Sequence, residues 1–213
     1  GFMPPTPGFM PPTPAYFPGI RETLPEPMSK PAEQFLNFSH ADLIAAVQGL
    51  YLDKLKPSGH VILKRLREHA ARDYAAAVNL PEQDIDPEDM PRVDNKHLRQ
   101  MCGNSDRLTM ITDEGSDFSV VLNGVPPDFI DPRNTDDPYP ESMWKEFTAY
   151  LARQKGSDAY MPGGRYACAK AFQQRRLPFF EGYSLGQLCH VVQMAISQRR
   201  LLGHHHGDLV PFQ

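Results

Sequence analysis

Residues 182–212 read GYSLGQLCHVVQMAISQRRLLGHHHGDLVPF, and the order of signals in that stretch decides the fold. Ser184-Leu185-Gly186-Gln187 has the form of a capping box, in which a serine caps the free N–H groups of a helix start and a glutamine three residues on reaches back to the serine N–H. Leu185, Leu188, Val192 and Ile196 then recur at helical spacing, which predicts a helix running to about Arg199. Leu201-Leu202-Gly203, His204-His205-His206-Gly207 and Asp208-Leu209-Val210-Pro211-Phe212 follow as two β-prone runs around a glycine-containing turn, the pattern of a hairpin.

Two more helices precede this pair of elements. Arg165 to Arg175 carries Tyr166, Ala169 and Phe172 on one side, and Leu177 to Gly182 reads as a loop. Tyr160-Met161-Pro162-Gly163-Gly164 interrupts the helical pattern before it. Further back, Asp137-Pro138-Tyr139-Pro140-Glu141 leads into a helix whose apolar side is Trp144, Phe147, Thr148 and Leu151. Residues 129–213 therefore read helix, helix, helix, hairpin.

The same order occurs in residues 35–128. Ser39 caps a helix with Asp42 near its positive start, and Leu43, Val47, Leu50 and Tyr51 form its buried face. Lys56-Pro57-Ser58-Gly59 is a break, and a second helix from about His60 to Ala77 places Ile62, Leu66 and Ala70 on one side. Residues 78–93 hold three prolines and five acids and read as a loop. Asp94 caps a shorter third helix with His97, Leu98, Met101 and Cys102. Residues 107–112 and 117–122 are β-prone runs around the turn Asp113-Glu114-Gly115-Ser116. Leu98-Arg99-Gln100-Met101-Cys102 stands beside Leu185-Gly186-Gln187-Leu188-Cys189, and Pro57-Ser58-Gly59 beside Pro162-Gly163-Gly164. The likeness rests on the order of elements more than on letters, and it predicts two diverged copies of one module.

Ten of the 22 prolines fall in the first 31 residues, where GFMPPTP occurs twice without change. Proline fixes φ and has no N–H to donate, so residues 1–34 are expected to be a disordered, proline-rich tail. The three cysteines form no CxxC pair, which argues against a disulfide framework and a zinc site and for an intracellular, reducing compartment, cytoplasmic or nuclear. No apolar run is long enough to span a membrane, and the start lacks the pattern of a signal peptide.

The net charge of −4 conceals an asymmetry. Residues 1–159 hold 16 Lys+Arg and 24 Asp+Glu, giving −8, whereas residues 160–213 hold six and two, giving +4. An acidic front and a basic back direct attention to the back as the part that meets an anionic partner.

Three helices followed by a hairpin is the winged-helix arrangement, in which the third helix usually enters a nucleic-acid groove. Within that class, Gly182-Tyr183-Ser184-Leu185-Gly186-Gln187-Leu188 resembles the Gly-Tyr-x-x-Leu-x-x-Leu entry to the third helix of LOTUS (OST-HTH) domains. Val93-Asp94-Asn95-Lys96 stands at the equivalent place in the first copy, where the likeness is weaker. The resemblance implies binding of RNA or of a helicase partner. The whole chain also resembles tandem modules in protein families of single-celled algae, which imply no function.

These readings combine into a mainly α protein with small β-hairpins (α+β): two tandem winged-helix-like domains, 35–128 and 129–213, behind a tail. The expected function is non-enzymatic nucleic-acid binding, RNA more than DNA, through Arg165, Lys170, Arg175, Arg176, Arg199, Arg200 and the histidines His204, His205 and His206. The alternative is a protein-interaction scaffold in which both winged helices are docking surfaces. Three consecutive histidines on a tight turn cannot surround one tetrahedral ion, so no metal or other cofactor is expected. Cys102 and Cys189 fall on matching apolar faces, where a thiol packs as a small hydrophobe.

Overall fold

Three of the predicted helices, those that start after Ser39, Asp94 and Ser184, begin on a side-chain cap. In the computed structural model, which describes residues 35–112 and 117–212, α1 (His40–Leu52) starts on a capping box between Ser39 and Asp42. Helix α2 (Gly59–Val78) follows the Pro57 break, and α3 (Asn95–Gly103) starts where the Asp94 carboxylate accepts from the Lys96 N–H. Strands β1 (Leu108–Thr112) and β2 (Phe118–Leu122) then pair antiparallel, Leu108 opposite Leu122. The second half repeats the order with α4 (Glu141–Arg153), α5 (Arg165–Gln174), α6 (Leu185–Ser197), β3 (Leu202–His205) and β4 (Asp208–Pro211). The fold is thus α+β, mainly helical with two small antiparallel hairpins. The tail, with its expected disorder, and the expected turn 113–116 lie outside the described residues.

The halves share a further detail. Just before its second helix, each half lays one residue against the outer strand of its own hairpin: Ser58 pairs with Ser119, and Met161 with Leu209. The second bridge has both bonds, Met161 N–H to the Leu209 carbonyl and Leu209 N–H to the Met161 carbonyl, each 2.9 Å. Hairpin 2 (β3–β4) is therefore fixed to the start of α5.

One continuous core runs through both halves, taking in Leu43, Val47 and Leu50 of α1, Ile62 and Leu66 of α2, and Leu185, Leu188 and Val192 of α6. Residues from Gln34 onward form a single compact unit. Helix α6 sits at its centre: no residue from Leu185 to Ile196 is exposed. Helix α3, its counterpart, lies at the surface with Asn95, Lys96, His97, Arg99 and Gln100 exposed and only Leu98 and Cys102 buried. No helix among the described residues is long and apolar enough to cross a membrane.

The seam between the halves explains the difference. Helix α1 ends in a Schellman turn, with Lys54 at φ 55°, the Leu55 N–H donating to Leu50 O and the Lys54 N–H to Tyr51 O. That turn points the Asp53 carbonyl outward, and the Gly186 N–H in the first turn of α6 donates to it at 2.8 Å. An unsatisfied helix C-terminus and an unsatisfied helix N-terminus thereby complete each other. A Cβ on residue 186 would lie 2.5 Å from the Lys54 carbonyl oxygen, so only glycine permits this approach.

Beside it, the buried Arg65 of α2 reaches the Asp53 carboxylate, Glu68 at 3.3 Å and the Tyr166 hydroxyl of α5 at 3.4 Å. Tyr166 donates to Glu68 at 2.7 Å, and Lys170 closes the set on Glu68 at 3.2 Å. Buried ion pairs add little net stability but penalise any arrangement that leaves one charge unmatched, so this network fixes how α2 meets α5.

Replacing Gly186 by alanine should lower unfolding stability by about 1–3 kcal/mol, the usual cost of forcing a methyl group into packed backbone. Urea denaturation measures it, and a wild-type midpoint would show that the two carbonyls can retreat without cost.

Candidate nucleic-acid interface

The nine expected site residues fall into three groups. The first is used by the fold. Arg199 follows the end of α6, and its guanidinium donates to Asp137 at 2.7 Å and Glu141 at 3.0 Å while lying 4.9 Å from the centre of the Trp144 ring. Burial would raise the Asp137 pKa, but hydrogen bonds from Arg199, the Trp144 indole and the Tyr139 N–H outweigh it and hold the carboxyl below its ordinary value. Lys170 belongs to the Glu68 network, and Arg175 donates to the Tyr150 hydroxyl.

The second group stands in solvent. Arg176 and Arg200 follow the ends of α5 and α6 in the left-handed region, at φ 47° and 49°, and both are exposed with no side-chain hydrogen bond or ion pair among the described residues. Arg176 lies at the opposite end of α5 from Arg165, roughly 15 Å along a helix of this length. The structure therefore does not gather all nine residues on one face.

The third group is brought together. The turn of hairpin 2 packs on the break before α5, so closely that a Cβ on Gly163 would overlap the Gly207 carbonyl oxygen. That contact sets the exposed rings of Tyr160, His205 and His206 side by side, with centroids 6.2 Å apart for Tyr160–His205 and 4.3 Å for His205–His206. Tyr160 is 49% exposed. Arg165, the first residue of α5, is half-buried and donates to the Gln193 side chain at 2.7 Å. His204 is exposed on β3, one residue before His205 and so on the other face of the strand. The result is an exposed cluster of flat rings on a hairpin held by two backbone bonds, close to the start of a helix.

Several other polar, thiol and aromatic side chains of the described residues are structural. His190 is buried, its Nε2 2.9 Å from the Asn134 carbonyl and its Nδ1 2.9 Å from the Tyr139 hydroxyl. The carbonyl can only accept, so Nε2 carries the proton. Burial pushes the thiol of Cys102 up to about 11 and those of Cys168 and Cys189 to about 12, opposite to what a nucleophile requires. Trp144 and Phe180 are core, and Phe179 packs against Phe147 and Tyr150. Among the described residues, no group of three or more His, Cys, Asp or Glu is placed to hold a metal ion.

Two features of the site go beyond the sequence reading. In the sequence Tyr160 is only part of a break, and its pairing with hairpin 2 depends on the Gly163–Gly207 contact. The burial of α6 does have a signal: no Asp, Glu, Lys or Arg occurs from Leu185 to Ser197, and a helix apolar on all sides is an interior helix.

Helix α5, helix α6 and the ring-bearing hairpin form one contiguous stretch of chain, and that stretch is what matches a known family. Residues 154–213 match the model of the OST-HTH Associated domain. The match is consistent with the LOTUS-like relationship drawn from residues 182–188, which lie inside it. It covers under a third of the chain and begins just after α4. No curated protein and no solved structure matches the chain. The geometry accounts for the LOTUS-like motif within this OST-HTH Associated segment: Gly182 has φ 80°, Ser184 and Gln187 form the capping box, Leu185 and Leu188 enter the core, and Gly186 meets α1.

Arg199→Ala should cost about 1–2 kcal/mol at neutral pH, through a charged hydrogen-bond pair and a cation–π contact partly screened by solvent. Arg200→Ala should change stability by less than about 0.5 kcal/mol. Because the folded Asp137 pKa is depressed, the pair contributes in full above the ordinary aspartate value of about 3.9, and the contribution is lost as pH falls through the lowered value. The gap between wild type and Arg199→Ala, followed by denaturation across the acid range, should therefore close below that point; a constant gap would contradict the pairing.

Proposed function

We propose that the chain is a non-enzymatic RNA-binding protein, RNA more than DNA, that takes single-stranded RNA on hairpin 2. We further propose that residues 35–128 and 129–213 are diverged copies of one winged-helix-like module. The reading rests on one observation, the exposed rings of Tyr160, His205 and His206 grouped at the break that leads into α5, whose first residue is Arg165. Single-stranded RNA is held by stacking bases on flat side chains while nearby cations meet the phosphates, and this arrangement has both components. The cluster lies within the OST-HTH Associated match, and the LOTUS resemblance implies RNA.

The burial of α6 favours RNA over duplex DNA. Reading a DNA major groove needs an exposed third helix, and α6 exposes no residue from Leu185 to Ile196. The contact surface of the second copy is therefore its hairpin, with Arg165 and the solvent-facing Arg176 and Arg200 as the residues from the expected set that can meet phosphates. Arg199, Lys170 and Arg175 act mainly inside the fold.

A second reading has its own support in the first half. There α3 is exposed, and Met110 and Ile111 on β1 are 37% and 44% exposed, an apolar edge suited to a protein partner. Titration with single-stranded RNA and with duplex DNA over a range of salt separates the two readings. The RNA reading expects RNA to bind more tightly than DNA and Tyr160→Ala with His205→Ala to weaken RNA binding by about 1–3 kcal/mol per base unstacked, with folding intact. RNA affinity no tighter than about 10⁻⁴ M at low salt, or a wild-type affinity in the double variant, rejects it in favour of protein docking.

A further inference from the structure

We propose that the cleft between α2 and α5 is a second phosphate subsite of the RNA path, walled in the free protein by the acidic segment 82–89, which RNA displaces. The inference rests on the RNA reading above and extends it. The cleft has a volume of about 450 Å³, with Lys64 and Arg67 on the α2 side, Tyr166 and Lys170 on the α5 side, and Ile85 and Glu88 on the acidic segment.

Helix α5 connects the two places. Its first residue, Arg165, follows the break that packs on the ring-bearing hairpin, Tyr166, Lys170 and Gln174 on successive turns line the cleft, and the helix leads on to Arg175 and Arg176. An RNA strand leaving the rings along α5 meets the cleft next. Lys64 lies over the Tyr166 ring, 5.6 Å from its centre, with no ion pair among the described residues. Its charge is therefore available to a phosphate.

The acidic segment behaves as an internal substitute for such a strand. Glu82, Asp84, Asp86 and Glu88 put four carboxylates on the cleft lining beside Lys64, Arg67 and Lys170, with Glu68 of α2 already paired to Lys170. The segment consists of two single 3-10 turns, Glu82–Asp84 and Pro87–Asp89, with no buried residue in either. It is fastened by Arg67, which donates to the Glu88 carboxylate at 2.7 Å, to the Glu88 carbonyl and to the Met90 carbonyl at 3.2 Å. The Glu88 side chain is 70% exposed, so its ion pair is well screened and contributes little to holding the segment. The Arg67 Nε, buried at the cleft, has no hydrogen-bond partner among the described residues. A guanidinium that releases a single solvated carboxylate can take a phosphate with two parallel bonds. The segment thus competes with RNA for Arg67, through a carboxylate contact that solvent screens.

The test uses the full chain, a fluorescein-labelled single-stranded oligouridylate, and the variant Glu82→Gln, Asp84→Asn, Glu88→Gln. Asp86 is kept because its carboxylate caps the second turn. A control of equal charge, Asp106→Asn, Glu146→Gln, Glu181→Gln, changes exposed acids outside the cleft lining. The proposal expects the segment variant to bind about tenfold more tightly at low salt, with a salt slope steeper by about 0.7 for each additional phosphate neutralised, and the control to improve much less. Adding Lys64→Ala to the segment variant should remove the improvement, with circular dichroism confirming the fold. Equal affinities for segment variant and control, or an improvement that survives Lys64→Ala, overturn the subsite while leaving RNA binding at hairpin 2 in place. Failure of every form, wild type included, to bind the oligonucleotide overturns the RNA reading itself.

Discussion

The hydrogen bond from the Gly186 N–H to the Asp53 carbonyl is the point on which the arrangement of the two halves depends. It is short because residue 186 has no side chain, and it joins the negative end of α1 to the positive end of α6. Once the helices meet in this way, α6 is enclosed by its own α5 on one side and by the first half on another. The Arg65–Asp53–Glu68–Tyr166–Lys170 network then leaves α2 one way to sit against α5. A buried charge has no low-energy alternative partner, so a slipped arrangement would strand it.

On the proposed RNA reading, this enclosure moves the contact surface of the second half to its hairpin. A third helix buried on every side cannot enter a groove, and what remains outside is the hairpin that follows it. The hairpin is also the best-tethered exposed element of that half, bonded through Met161 and Leu209 to the start of α5. Rigid placement of flat rings lowers the entropy lost when a base stacks on them. The first half differs in the same physical terms. Among the described residues nothing comparable covers α3, and the apolar edge of β1 is exposed.

Much of the fold was legible because it is local. Ser39, Asp94 and Ser184 announce helix starts, Pro57 and the Pro162-Gly163-Gly164 run announce breaks, and the structure places α1, α2, α3, α5 and α6 within one or two residues of those signals. The function of each charge was less legible, because it depends on distant partners. Arg199 reads as a free cation past the last helical turn, yet it closes on Asp137 and Glu141, some sixty residues earlier in the chain. Lys170 answers to Glu68 across the seam. Gly186 reads as an ordinary member of a motif, and only the position of α1 shows why a side chain there is excluded. The ring cluster was half visible: the histidines stood out, but Tyr160 joins them only through the contact between Gly163 and Gly207.

The central claim is that α6 is an interior helix shared by both halves, not a helix available to a groove. Native-state hydrogen exchange tests it at single amides. Exchange at Cys189, Val191, Val192 and Met194 should require the same free energy as exchange in the middle of α2, because one cooperative unit must open to release either. The denaturant dependence of these amides should equal that of global unfolding. If the α6 amides exchange through a lower-energy opening that leaves α1 and α2 protected, the halves are separable, α6 can be exposed, and the account is contradicted.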